Sequence, residues 1–459
     1  MHPKKKKVLV ITLIVVSIIS WIVIINELEY NYLINESNYP KLIVNHLKRE
    51  LWDSDNSGFY KFHFDNGTIS DEGLNKYTSF NIWTVRALLH YEIAHEDDST
   101  FDTHGMDALN FIFNYLQNKT NKGFYHWVYQ NGSIPAMGHV MFNNSVLQIA
   151  TYQAWVLLTI TDFYRYTLNE TYIDVWGNQT ANFLITKLWD STYGGFYSEY
   201  LPFHEEITDR YKYTWYQAWP ALALMDYYEI TGNETYMTYA NTTLNFMITN
   251  LWDSNLKGFV FSALENGTIN ATTEFTLTDQ AAAVLALSKA TNITGNLTYW
   301  NDYLVPLVNF TKNYLWDDEC GQFYSACDIN GTNPDATNRP SDLSIWLFAL
   351  SEVIDSLNDT SLEDLLTSST AHLNSIGWDG VKKAFNRKFF NNGTVINLEK
   401  WTIEQAIPLF FYSQYFQEIP TSYILIYVYV PIFAGTIFAL AYIYLKFGKK
   451  KDLTRKKLK

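Results

Sequence analysis

Three carboxylates in the C-terminal half of this 459-residue chain are almost evenly spaced: Asp279, Asp342 and Glu404, separated by 63 and 62 residues. Each falls where an apolar helical stretch begins, in "TLTDQ", "RPSDLS" and "WTIEQ". Nearer the N-terminus the same register is aromatic, with Phe80, Tyr152 and Tyr216. Carboxyls gathered in an enclosed site can protonate a leaving oxygen and activate water or stabilise an oxocarbenium-like centre. Crowding and burial raise one of their pKa values, which supplies the acid. Aromatic rings beside them suit the C–H face of a pyranose. The competing role for each acid is structural, because a carboxylate in the first turn of a helix satisfies orphan amides and complements the helix dipole.

The spacing is the period of an internal repeat. "LWDSTYGGFYSEY" at Leu188 recurs as "LWDSDNSGFYKF" at Leu51, "LWDSNLKGFVFS" at Leu251 and "LWDDECGQFYSA" at Leu315, with a variant "IGWDG" around Trp378. Trp189, Trp252, Trp316 and Trp378 follow one another at steps of 63, 64 and 62. Trp52 lies 137 residues before Trp189, and the copy between them is the degenerate "LQNKTNKGFYHW" around Gly123. Six units result.

Each unit has one order: a helix, an Asp-Gly turn, a short aromatic strand and a second, strongly apolar helix. Asp and Gly stop the first helix, and Asn-Gly pairs at 66–67, 131–132, 266–267 and 392–393 predict small hairpins. An apolar helix must be covered by others. Six helix pairs achieve this by closing into a ring with the apolar helices inside, which predicts an all-α, (α/α)6 toroid with its hairpins on one face. Asp53, Asp190, Asp253, Asp317 and Asp379 recur in the turns and read as scaffold, since a site used once per ring is not written five times.

Functional residues are then expected where one unit departs from the rest. Aligning the inner helices on Asn81, Gln153, Gln217, Gln280, Leu343 and Gln405 places the three aromatics and three acids in one column just before it. Asp279, Asp342 and Glu404 are the expected catalytic groups, beside a stacking surface of Tyr152, Trp215 and Tyr216. A turn upstream, Lys76, Lys212, Lys400 and Arg339, with Tyr77, Tyr213 and Trp401 beside some of them, could bind sugar hydroxyls or a uronate, or else pair with acids at the helix starts. Of these, Lys76, Lys212, Arg339 and Trp401 are assigned to substrate binding. Arg86 lies inside an apolar helix, is expected to meet a carboxylate, structurally or at the site, and is counted with His139 among the substrate-binding residues. His139 in "PAMGHVMFNN" stands before the second inner helix, where an imidazole could contact the ligand or act as acid or base.

"LWDSTYGGFYSEY" followed by "KYTWYQAWPALALMDYYEITGNETY" resembles the six-hairpin toroids of the N-acylglucosamine 2-epimerase and glycoside hydrolase superfamily, over residues 40–418. The resemblance implies a carbohydrate-directed pocket on the hairpin face, lined by the starts of the inner helices. A glycoside hydrolase with paired carboxylates is the function expected first. A uronyl or N-acylhexosamine epimerase or isomerase, and a non-catalytic glycan-binding or cell-envelope glycoprotein, are the alternatives. The epimerase branch uses histidines on inner helices, and here only His139 is placed near the expected pocket.

The ends predict a membrane setting. Residues 1–7 are basic, 8–25 and 423–445 are uncharged apolar runs read as two transmembrane helices, and 446–459 form a basic tail. By the positive-inside rule both termini are placed in the cytoplasm, with residues 26–422 as a large extracellular toroid at a cell membrane. Seventeen N-x-S/T sequons fit a glycosylated surface. Cys320 and Cys327 are the only cysteines, and their spacing predicts a local disulfide. Residues 26–422 carry 21 basic and 46 acidic side chains, a net of −25. That charge argues against nucleic acid and favours a neutral or cationic glycan over a strongly anionic one. The chain holds no phosphate loop, no His-Glu-x-x-His, no G-x-S-x-G and no metal-ligand cluster, so neither a metal nor another cofactor is expected.

Overall fold

The computed structural model describes residues 39–95, 98–269, 273–357 and 359–415. Six inner helices run through it: α1 (Thr78–Ala94), α2 (Ala150–Thr167), α3 (Thr214–Thr231), α4 (Leu277–Thr294), α5 (Pro340–Ser351) and α6 (Thr402–Tyr415). Each packs against the next, and α6 packs against α1, so the ring closes. The outer helices lie between them in sequence, for example Glu234–Asn250, which packs against α3. Leu, Ala, Val and Trp side chains of the inner helices form one continuous buried core with the outer layer.

The repeated phrase builds the same joint six times. Its Trp, or Gln117 in the second unit, bridges the Phe seven residues on: Trp52 to Phe59, Gln117 to Phe124, Trp189 to Phe196, Trp252 to Phe259, Trp316 to Phe323 and Trp378 to Phe385. The turn Asp accepts from the amides two and three residues ahead, as Asp190 does from Thr192 at 2.8 Å and Tyr193 at 3.2 Å. The fourth residue after that Asp, or after Asn118 in the second unit, is left-handed throughout. Gly194 and Gly321 adopt this conformation freely, whereas Ser57, Lys122, Lys257 and Lys383 do so under strain.

The glutamine column locks this joint to the inner helix. Gln217 accepts from the Phe196 amide and donates to the Phe196 carbonyl, both at 2.7 Å. Asn81, Gln153, Gln280 and Gln405 do the same for Phe59, Phe124, Phe259 and Phe385. In the fifth unit Leu343 occupies the position, and Gln322 and Asn338 satisfy Phe323 instead.

The strands pair mainly between units. The strand after each Phe pairs antiparallel with the segment that leads into the preceding unit's inner helix, as in Tyr213↔Ser262 and Tyr77↔Trp127. The belt closes where Phe62 of the first unit meets Trp401 of the last.

Two expectations are corrected. Among the described residues no helix is long and apolar enough to cross a membrane. The described fold is the toroid alone, and the two expected transmembrane helices, with the cell-membrane placement and cytoplasmic termini drawn from them, are not supported by it; segments 8–25 and 423–445 lie outside the described residues. Cys320 and Cys327 are free thiols. Cys320 sits in the turn, where its thiol bonds the Asp317 carboxylate, whereas Cys327 is buried in the next strand opposite Phe275.

Candidate active site

A cavity of about 1350 Å3 opens where the inner helices begin. Its wall comes from first-turn residues of those helices and from the inter-unit strands. One side is aromatic, with Phe80, Tyr152, Trp155, Tyr216 and Trp215. At its floor Trp155 meets Trp83, Trp219 and Trp215 edge to face at 5.5 to 5.9 Å, an arrangement favoured by the ring quadrupole. Trp83 and Trp219 are fully buried, so this cluster plugs the centre of the ring.

Asp279 and Asp342 line the cavity. Asp279 is 1% exposed. One of its oxygens accepts from the Trp215 amide at 2.8 Å, and the other bonds the Thr276 hydroxyl, which accepts in turn from the Asp279 amide at 3.1 Å. Its carboxyl therefore bridges the starts of α3 and α4. Burial, with no cation beside it to offset the loss of hydration, pushes its pKa up to about 8 despite those bonds. Asp342, one helix along, accepts from Arg339 Nε at 2.5 Å and is only partly covered.

Glu404 is not brought to the cavity wall. It is fully buried, accepts from the Ser341 amide at 2.8 Å and is covered by Arg387. Glu404 and Asp279 make the same connection, from one inner helix to the second amide of the preceding one.

The lysines upstream are drawn into the scaffold. Lys76 and Lys212 are fully buried and hold Asp53 and Asp190 at 2.7 Å, and Lys400 holds Asp379 at 3.1 Å. None of the three lines the cavity. The second unit changes both partners to neutral residues, Asn118 and Gln148. Arg86 pairs with Asp162 at 2.7 Å beside His90, away from the cavity. His139 is exposed on its loop. Arg339 and Trp401 do line the cavity.

Several cavity residues lie outside the expected set, among them Lys61, His126 and Arg387. Each of these three stands two residues after the repeated Phe, in the column Lys61, His126, Ser198, Phe261, Ser325 and Arg387, all but Ser198 at the wall. That column varies from unit to unit while the Phe does not, and this variation is the signal the sequence carries. His126 lies 5.0 Å from the Tyr77 ring and 5.7 Å from that of Tyr152. Burial holds its pKa at about 4, so the imidazole is neutral at pH 7. Glu199 and Asp209 add carboxylates from the third unit; burial raises the Glu199 pKa, and Asp209 accepts from the Tyr213 hydroxyl at 2.8 Å.

No family model matches the chain, and no curated protein matches it by sequence. Solved structures do match. The cellobiose 2-epimerase of Bacillus thermoamylovorans superposes with a TM-score of 0.72 at 13% identity, over 84% of this chain and 100% of that one. A D-mannose isomerase gives 0.70 at 14% identity, covering 83% and 97%. A family 76 glycoside hydrolase, a mannosidase of Bacteroides thetaiotaomicron, gives 0.64 at 15% identity, covering 83% and 98%. All three are six-hairpin (α/α)6 toroids. This chain has the same fold. Since that architecture carries both epimerases and hydrolases, the likeness establishes the toroid, and the chemistry must be argued from the side chains.

Proposed function

We propose that the toroid is a carbohydrate-active enzyme, a glycoside hydrolase in which Asp279 is the general acid and Asp342 the second carboxylate. The observation that carries this reading is the Asp279 carboxyl, set in the wall of an open aromatic-sided cavity and held protonated near neutral pH. A proton donor poised near the working pH is what cleavage of a glycosidic bond needs. Asp342, ion-paired to Arg339 at the start of its own helix, is the group that faces the developing oxocarbenium or its attacking water in this reading. Tyr152, Tyr216 and Trp215 offer stacking faces for the sugar rings between them. Glu404 acts from behind the wall by holding Arg387.

The epimerase reading has one observation in its favour, the neutral imidazole of His126 at the cavity wall. Moving a proton between the two faces of a sugar carbon calls for an acid and a base on opposite sides. Of the histidines described, only His126 reaches this wall. Incubation of the protein with a panel of oligosaccharides, followed by product analysis, separates the readings. New reducing ends that disappear in Asp279→Asn support the hydrolase. An isomeric sugar of unchanged length, lost in His126→Ala, contradicts it.

A further inference from the structure

The cations at the cavity wall all lie on one side, where Asp335 and Asp342 of the fifth unit stand among them, while the other side holds carboxylates without a cation. Glu199, Asp209, Glu274 and Asp279 come from the third and fourth units, and no lysine or arginine from those units joins them at the wall. Across from them Arg339, Arg387, Lys388 and Lys61 come from the fifth, sixth and first units, which are consecutive around the closed ring. Arg387 and Lys61 both stand over the Trp401 ring, at 4.1 and 4.7 Å from its centre. Arg339 is close enough to Arg387 that its charge, after burial, helps to hold the Arg387 pKa below the usual arginine value, at about 10. Cations are not gathered against mutual repulsion without something to offset it.

Part of the offset is internal. Arg387 Nη1 donates to Glu404, Arg339 Nε donates to Asp342, Lys61 pairs with Glu72, and Glu399 bonds Trp401 Nε1 beside them. These contacts leave donors over. A guanidinium has five N–H donors, and one from each arginine is engaged with a carboxylate. Among the described residues neither guanidinium makes a further hydrogen bond, and both side chains line the cavity, Arg387 16% and Arg339 42% exposed. Lys388 has no acidic partner among the described residues. A planar fork with spare donors matches an oxyanion bidentately.

We propose that the cavity takes an acidic glycan, whose carboxylate, sulfate or phosphate group is bound by Arg387 and Arg339. The inference rests on the carbohydrate reading above and departs from the expectation drawn from net charge, because a charge of −25 summed over the domain says little about one wall of its cavity. This arrangement also fixes orientation. With its anionic group on the arginine side, the bound sugar presents its neutral portion to Asp279, where an anion would be repelled by the surrounding carboxylates.

The test is calorimetric titration of the full-length protein with uronate-, sulfate- and phosphate-bearing oligosaccharides, each beside its neutral counterpart, in low and high salt. At least one acidic member is expected to bind about tenfold or more tightly than its neutral counterpart, a preference of about 1.4 kcal/mol. Added salt should weaken the acidic ligand alone. Which acidic class wins identifies the source of the anion. Arg339→Met should bring the two ligands within about threefold of each other. Arg387→Gln combined with Glu404→Gln, which leaves no buried charge unpaired, should do the same, with folding checked by urea unfolding. Equal or tighter binding of the neutral ligands overturns this inference and leaves the carbohydrate reading standing. Binding of no sugar at all removes both.

Discussion

Lys212 and Asp190 provide a test of how the repeat is held together. Both are buried, their charged atoms are 2.7 Å apart, and Lys212 also reaches the Gly194 carbonyl. Burial opposes the Asp190 charge, but the bond from Lys212 and the amides of Thr192 and Tyr193 hold its pKa below the usual carboxylate range. Lys212→Gln removes the counter-charge and strands a carboxylate in the core, which costs about 3–5 kcal/mol. Adding Asp190→Asn copies the neutral residue types that the second unit holds at these positions, Asn118 and Gln148, the latter bonded there to Asn121, and retains an oxygen to accept from the turn amides. The double variant is therefore expected to recover most of the loss, to within about 1 kcal/mol of the parent. Urea unfolding at pH 7.5 reads this directly, provided the slope m stays constant. A single variant costing under about 1 kcal/mol, or a double variant no more stable than the single, would refute the reasoning.

Other outcomes follow from the same structure. His46 and His63 are buried with ring nitrogens 3.0 Å apart, and burial pushes the His46 pKa down to about 3 and lowers that of His63. The unfolded chain takes up those protons first, so stability is full above about pH 6.5 and falls as pH drops toward 3, by about 1.4 kcal/mol for each tenfold loss of proton affinity on folding; His46→Gln should flatten the change in urea midpoint between pH 7 and 4.5. Trp219→Ala, at the fully buried centre of the aromatic plug, should destabilise by about 3–5 kcal/mol in the same assay. Asp279→Asn should be close to neutral for stability near pH 4 and increasingly stabilising as pH rises to 8, because the unfolded parent ionises this carboxyl from about pH 4 whereas the folded parent keeps it protonated up to about 8; the parent's stability, full below about pH 4, is lost across that window.

Much of the fold is legible because the repeat writes one joint six times, and even the placement at Leu343 is in register at the fourth residue of α5. The site is harder to read. Departures from the repeat on the inner helices mark Asp279 and Asp342, both at the wall. The bends just before the inter-unit strands carry a second variable column, and Lys61, His126 and Arg387 belong to it rather than to the helices. Lys76 and Lys212 look like ligand contacts in the sequence because their partners, Asp53 and Asp190, lie more than 20 residues away across the joint. The paired change to Asn118 and Gln148 is the visible sign of that contact. Glu404 shares its column with Asp279, yet Arg387 covers it, and only the packing of the sixth strand shows this.

The central claim, that Asp279 serves as the acid, is tested most directly by the pH dependence of glycan cleavage in the parent protein and in Asp279→Asn. The parent rate should fall as pH rises through about 8, following loss of the Asp279 proton, and the variant should be slower by about 100-fold or more. A variant that cleaves at the parent rate, or a parent profile with no limb near pH 8, would contradict it.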